Sequence, residues 1–310
     1  MEFEKKLEEE IIDRILPNVN EYVLAKVKEM TDDAKKSIKT IKITDGKGKT
    51  KREFTTLVHK KFDDIVLLIS NNIPVMLVGG AGSGKSSTCE KVANLLGLDF
   101  YFTNAVTQEY KLTGFIDANG TYQETQFYKA FKDGGLFCLD EIDASIPEAL
   151  IIINTAIANG YTDFPCGKVV AHEDFRVVAC ANTYGLGSDD VYVGRNQLDG
   201  ASLDRFALIN FEYDETLERA LVENQDWVEF VQELRHRIQE RKIKHIISMR
   251  ATIYGDIMIQ AKANIKDIFE QVIFKNLRID DIKSIGQLED KSKNKYVNEF
   301  NKVVRSSDSF

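Results

Sequence analysis

Five short apolar runs set the strongest limit on how this chain can fold. They are "PVMLVG" at 74–79, "LDFYFT" at 98–103, "GLFCLD" at 135–140, "FRVVACA" at 175–181 and "FALINF" at 206–211. Most are separated by stretches long enough for a helix. Near-continuous apolar runs of this length fit strands buried on both faces, so the pattern predicts a parallel sheet sandwiched between helices. One linking helix is well marked in "ASIPEALIIINTAIANG". There Ser145 can cap the start, Pro147 suits the first turn, and Gly160 can close the end in the left-handed conformation.

The flanking segments read differently. Residues 2–38 carry Glu, Lys, Leu and Ile at roughly helical spacing, broken at Pro17, and predict two helices with solvated charged faces. "TIKITDGKGKTKREF" at 40–54 predicts a β-hairpin, and "LVHKKFDDIVLLISNN" a helix with Leu57, Phe62, Ile65, Val66 and Ile69 on one face. After Tyr213 the strand signals stop and a second, all-helical domain runs to about residue 285. The expected division is an N-terminal helical and hairpin extension (1–59), an αβα core (60–213), a helical domain (214–285) and a polar tail (286–310), either partly frayed or a helix.

Bulk properties exclude some functions. Of 310 residues, 41 are Lys or Arg and 49 Asp or Glu, for a net charge of −8. That balance argues against a broad nucleic-acid-binding face. The start, "MEFEKKLEEE", lacks the apolar stretch of a signal peptide, and no segment approaches 18 consecutive apolar residues, so the expectation is a cytoplasmic protein with no membrane span. Cys89, Cys138, Cys166 and Cys180 form no C-x-x-C pair and read as thiols in a reducing cytosol.

"GGAGSGKSS" follows the first apolar run and opens the helical "KSSTCEKVANLLG". It contains G-x-x-x-x-G-K-S, and the strand-to-helix context is the one a phosphate-binding loop requires. The backbone of Gly79, Gly80, Ala81, Gly82, Ser83, Gly84, Lys85, Ser86 and Ser87 would wrap the phosphates, its glycines turning successive N–H groups inward. Lys85 offers a compact cation to the β and γ phosphates, and Ser86 a hydroxyl for Mg²⁺. The third run ends in Asp140 and Glu141, at the edge of a parallel sheet where ligands bind. Asp140 suits the Mg²⁺ shell, and Glu141 can orient and polarise an attacking water. Asn182, ending "VVACANT", can hydrogen-bond that water and a γ-phosphate oxygen, although a lone Asn at a strand end equally reads as a turn former.

The order of these parts resembles the AAA+ ATPases, and among them the MoxR-like and cobaltochelatase-small-subunit group related to dynein's ATPase modules. "GGAGSGKSS", "GGLFCLDEIDAS", "VVACANTYGLG", "YVGRNQLDGASLDRF" and "SMRA" carry the resemblance, over about residues 60–285. It implies a five-stranded P-loop NTPase core with a helical lid, assembled into a ring, usually a hexamer, with ATP and Mg²⁺ at the subunit junctions. It implies that Arg205 of "LDRF" is an arginine finger for a neighbour's γ-phosphate, in place of a plain ion pair with Asp204. Arg195 of "GRNQLD" is a second candidate for that contact, and Arg250 of "SMRA", capped by Ser248, is implied to sense the γ-phosphate in its own subunit. Hairpin insertions facing the pore or substrate are implied at 115–127, with Asn119-Gly120 as a type I′ turn, and at 163–175.

The leading expectation is therefore an ATP-hydrolysing ring, self-assembled, that remodels a protein partner. Many relatives work beside a protein with a von Willebrand-type metal-binding domain, which this sequence does not encode. The alternatives are a nucleotide-driven motor on nucleic acid, disfavoured by the net charge, and an ATP-dependent scaffold with little hydrolysis, disfavoured by the acidic pair.

Overall fold

The computed structural model describes residues 38–44, 50–188, 191–275, 277–288 and 294–307. The helices expected before residue 38 lie outside the described residues, as does the turn of the first hairpin. That hairpin is formed by β1 (Ile38–Thr44) and β2 (Thr50–Leu57), paired antiparallel with Ile38 opposite Leu57. Helix α1 (Phe62–Ser70) follows and buries Phe62, Ile65 and Ile69.

All five apolar runs become strands of one sheet: β3 (Val75–Val78), β4 (Phe100–Thr103), β7 (Gly135–Leu139), β10 (Phe175–Ala181) and β11 (Ala207–Asn210). The spatial order is β11-β3-β10-β7-β4, and every pairing is parallel. In chain order that is 5-1-4-3-2, so the first strand is an inner one and its C-terminal end opens beside that of β10. Continuous apolarity tracks position. The inner strands β3 and β7 are buried throughout, while the edges β4 and β11 leave Phe102 and Leu208 exposed.

Alternation along the strands splits the core into two layers. Met76, Val78, Phe137, Leu139 and Ala179 pack on one side with α4 (Gln126–Asp133) and α5 (Pro147–Asn159). Val75, Leu77, Leu136, Cys138 and Cys180 pack on the other with α1 and α2 (Lys85–Leu96). Cys89, Cys138 and Cys180 meet in that second layer, with all three sulfurs within 4.8 Å of one another, whereas Cys166 is exposed.

Two local expectations change. Pro147 does open α5, and Gly160 ends it at φ 67°, but Ser145 is not its cap. The Ser145 hydroxyl instead accepts a hydrogen bond from the Val106 amide at 2.9 Å. After α3 (Tyr110–Thr113), strands β5 (Phe115–Ile116) and β6 (Tyr122–Gln123) pair antiparallel, but their turn is not type I′. Only Gly120 takes positive φ there, and Asp117 Oδ1 organises the turn by accepting from the amides of Asn119 and Thr121, each at 2.9 Å. The second hairpin, β8 (Tyr161–Phe164) and β9 (Gly167–Val170), closes over Pro165 and Cys166 and begins earlier than 163–175, because Phe175 already belongs to the sheet.

Beyond the short α6 (Gly200–Leu203) and β11, the chain is helical: α7 (Glu215–Ala220), α8 (Gln225–Glu240), α9 (Met249–Gln260), α10 (Ile265–Ile268), which runs into a π-helical turn at Phe269–Phe274, α11 (Ile279–Ile285) and α12 (Lys295–Ser307). The tail expected to be polar is for the most part α12. Its Tyr296, Val297, Phe300 and Val304 are buried against Trp227, Phe230 and Ile285, so 294–307 completes the core of the helical domain.

Candidate functional site

The phosphate loop is built by sterics at both ends. A Cβ on Gly79 would lie 1.9 Å from the Phe211 carbonyl oxygen, so only glycine lets β11 lie against the end of β3. Gly82 and Gly84 take φ of 70° and 93°, in the left-handed region that favours glycine. Gly84 is the N-cap residue of α2, so the helix N-terminus and its free N–H groups face the loop's interior.

Lys85 is 7% exposed and its ammonium is held by oxygens without a formal charge. It donates to the carbonyls of Gly79 (2.7 Å) and Gly80 (3.1 Å) and to Asn182 Oδ1 (3.1 Å). Burial pushes its pKa below the ordinary lysine value, only partly opposed by Cys180 and the nearby Asp140. A buried cation with neutral partners is a site in want of an anion. Ser86 Oγ donates to Asp140 Oδ2 at 2.7 Å, which places two hard oxygen ligands side by side at the loop's foot. Those donors fit Mg²⁺, and the glycine cradle with Lys85 fits a polyphosphate.

Glu141 follows with φ 53°, its amide donating to Asp140 Oδ1 at 3.0 Å. Its carboxylate is held by Arg195, whose Nη2 lies 3.1 Å from Glu141 Oε1. Arg195 is thus in contact with Glu141 of its own chain. Arg205 stands apart. It donates from Nη1 to the Ala201 carbonyl in the first turn of α6, and among the described residues it pairs with neither Asp204 nor any group at the phosphate loop. Arg250 is exposed in the first turn of α9, where Ser248 accepts from its amide at 3.3 Å. A Cβ on Gly82 would fall 2.9 Å from Ser248 Oγ and 3.4 Å from Arg250 Cγ, so the helical domain rests directly on the phosphate loop.

Sequence reading missed three residues that shape the site. The Tyr192 hydroxyl accepts a hydrogen bond from the Ala81 amide at 2.9 Å. Tyr213 donates its hydroxyl to the Ala81 carbonyl at 2.8 Å and stacks under the Arg235 guanidinium at 4.4 Å. Asp143 lies wholly buried between Asn182 and Arg195. Of these only Asp143 carried any signal, as the third carboxylate of "DEID". A cavity of about 890 Å³ opens beside Gly80, between the core and the helical domain, lined among others by Lys60, Tyr213, His236 and Ile247.

The strand order, the glycine loop between β3 and α2, and the acid pair at the end of β7 define a P-loop NTPase fold. Residues 74–206 match the family model of the AAA domain, dynein-related subfamily. Two uncharacterized proteins of Staphylococcus epidermidis are each similar at 29% identity over 196 residues, covering 57% of this chain and 70% of theirs. An uncharacterized protein of Staphylococcus aureus is 28% identical over 169 residues, covering 49% of this chain and 60% of its own. Among solved structures, NtrX from Brucella abortus in complex with ADP is similar at 14% identity and TM-score 0.49, covering 82% of this chain and 62% of that one. A RuvB variant from Thermotoga maritima is similar at 19% identity and TM-score 0.41, covering 71% and 68%. No helix among the described residues is long and apolar enough to cross a membrane.

Proposed function

We propose that the chain is an ATP-hydrolysing ring ATPase of the MoxR-like kind, which couples turnover to remodelling of a protein partner. The observation that carries this reading is the convergence of three parallel strand ends, where Lys85 bonds Asn182, Ser86 bonds Asp140 and the Glu141 amide bonds Asp140. In this reading Gly79 to Ser87 wrap the phosphates and the cavity beside Gly80 takes the nucleoside. Lys85 turns from its neutral carbonyl partners to the anion, which its burial favours. Ser86 and Asp140 would hold Mg²⁺, which when bound neutralises phosphate charge. Glu141 orients a water towards the terminal phosphate and accepts its proton, while Asn182, hydrogen-bonded to Lys85, steadies both.

Arg250, on the turn that rests against Gly82, reads the terminal phosphate within its own subunit. Arg205, whose guanidinium among the described residues meets the Ala201 carbonyl and no acidic group, is offered to a neighbouring subunit's nucleotide in a ring. The two hairpins expose Phe115, Ile116, Tyr161 and Val170, apolar side chains at positions suited to gripping a protein. The reading is tested by phosphate release from ATP by the purified full chain, with Mg²⁺ and with chelator. Turnover that requires Mg²⁺ and is lost in Lys85→Ala is expected. Binding of ATP without turnover would leave a scaffold instead.

A further inference from the structure

Asp143 has no part in the reaction as proposed, yet it is the most fully engaged carboxylate at the site. It lies in the 3-10 turn Ile142–Ala144 and is completely buried. Its Oδ2 accepts three hydrogen bonds, from the Asn182 amide (3.1 Å), the Thr183 amide (2.9 Å) and the Thr183 hydroxyl (2.9 Å). Its Oδ1 accepts no hydrogen bond and faces Arg195 Nη1 at 3.5 Å. The other end of that guanidinium holds Glu141 Oε1 at 3.1 Å. The backbone beside Arg195 is pinned to the same turn, by Asn196 N to the Asp143 carbonyl at 2.7 Å and Asn196 Nδ2 to the Ser145 carbonyl at 2.9 Å.

These contacts differ in firmness. A buried carboxylate must keep its donors, because a charge left unpaired in the interior is strongly destabilising. Asp143 is therefore fixed. Arg195 is only 12% exposed and brings a rigid planar fork that reaches two carboxylates at once. The Glu141 side chain is 45% exposed, and Arg195 is its one ion-pair partner among the described residues. Direction thus passes from the fixed group to the free one.

We propose that Asp143 is a positioning residue that registers Glu141, through Arg195, against Asn182. One buried charge sets the strand end that carries Asn182 and the heading of the Glu141 carboxylate, so that the two groups address the same water. Arg195 on this account acts within its own subunit. The inference rests on the proposed role of Glu141.

The test is steady-state ATPase of the full chain as Asp143→Asn, Arg195→Gln, the double variant and Glu141→Gln, with thermal melting alongside. Each of the first two should lower kcat by about 10- to 100-fold with KM for ATP changed by less than roughly threefold. The double variant should be no slower than the slower single, because both cut the same link. Losses that multiply, or an unchanged kcat with a lower melting temperature, would make Asp143 merely structural and overturn the proposal. Should Asp143→Asn not fold, Arg195→Lys decides. A single ammonium cannot replace the fork, so near-normal kcat in that variant overturns the link. Mixing Arg195→Gln with Glu141→Gln subunits should restore nothing, and recovery would mean that Arg195 acts on a neighbour. Wild-type turnover by Glu141→Gln alone would instead remove the role of Glu141 on which the inference rests.

Discussion

Lys85 Nζ lies 3.1 Å from Asn182 Oδ1, joining the helix after the first strand to the end of the fourth. The contact exists because β3 and β10 are adjacent, with Val78 level with Ala181. It makes the phosphate loop and the reacting end of the site one hydrogen-bonded unit, and the consequences of cutting that unit differ by residue.

Removing the cation should abolish binding. Lys85→Ala deletes the charge that the glycine cradle surrounds, and charge-assisted hydrogen bonds contribute about 1.5–3 kcal/mol each. A fluorescent ATP analogue should bind at least about 100-fold more weakly. Unchanged affinity would place the nucleotide elsewhere.

Removing the carboxylate should spare binding. Glu141→Gln keeps the size and the φ of 53° while losing the base, so turnover should fall by about 10²- to 10⁴-fold with ATP affinity retained. A trapped, nucleotide-bound assembly seen by mass would accompany that loss.

Arg205 makes a different prediction, because among the described residues its side chain is held by the Ala201 carbonyl and by no group at the phosphate loop. Arg205→Ala should bind ATP normally and turn over about 10³-fold more slowly. Mixing it with Glu141→Gln subunits should restore part of the rate, since each supplies what the other lacks. No recovery on mixing would place Arg205 outside a shared site.

Stability should depend on pH through two histidines, His59 buried and His245 half-buried. Burial pushes both His59, stacked on Phe211 at 3.7 Å, and His245 below the usual histidine value of 6.5. Between the lowered native value and 6.5 the unfolded chain binds protons that the folded chain does not. Stability therefore rises with pH across that window and is lost as pH falls through it. Thermal melts should shift downward from pH 7 to pH 5, and His59→Phe should flatten the shift.

The helical domain has its own tight point. A Cβ on Gly255 would fall 2.2 Å from the Trp227 ring, which is wholly buried. Gly255→Ala should cost about 1–3 kcal/mol by overpacking, read as a lower denaturant midpoint.

Much of this was legible in the sequence because the central strands are buried on both faces and so print as unbroken apolar runs. The phosphate loop was legible because its glycines, Lys85 and Ser86 are consecutive. Residues whose roles come from partners far along the chain were not. Tyr192 and Tyr213 meet at Ala81 only after folding, and Asp143 reads as one more acid until Thr183 and Arg195 arrive beside it. The Asn119-Gly120 signal misled because the Asp117 side chain took over the turn. The tail's part in the core was hidden because the buried stripe of Tyr296, Phe300 and Val304 is thinly spread through charged residues.

On the proposed reading, hydrolysis is completed by a neighbouring subunit. The most direct test is ATPase rate per subunit against protein concentration, with oligomer mass measured in parallel. A rate that climbs as the ring forms is the predicted result. A rate that stays flat from the monomer upward would contradict it, and would mean that the site is complete within one chain.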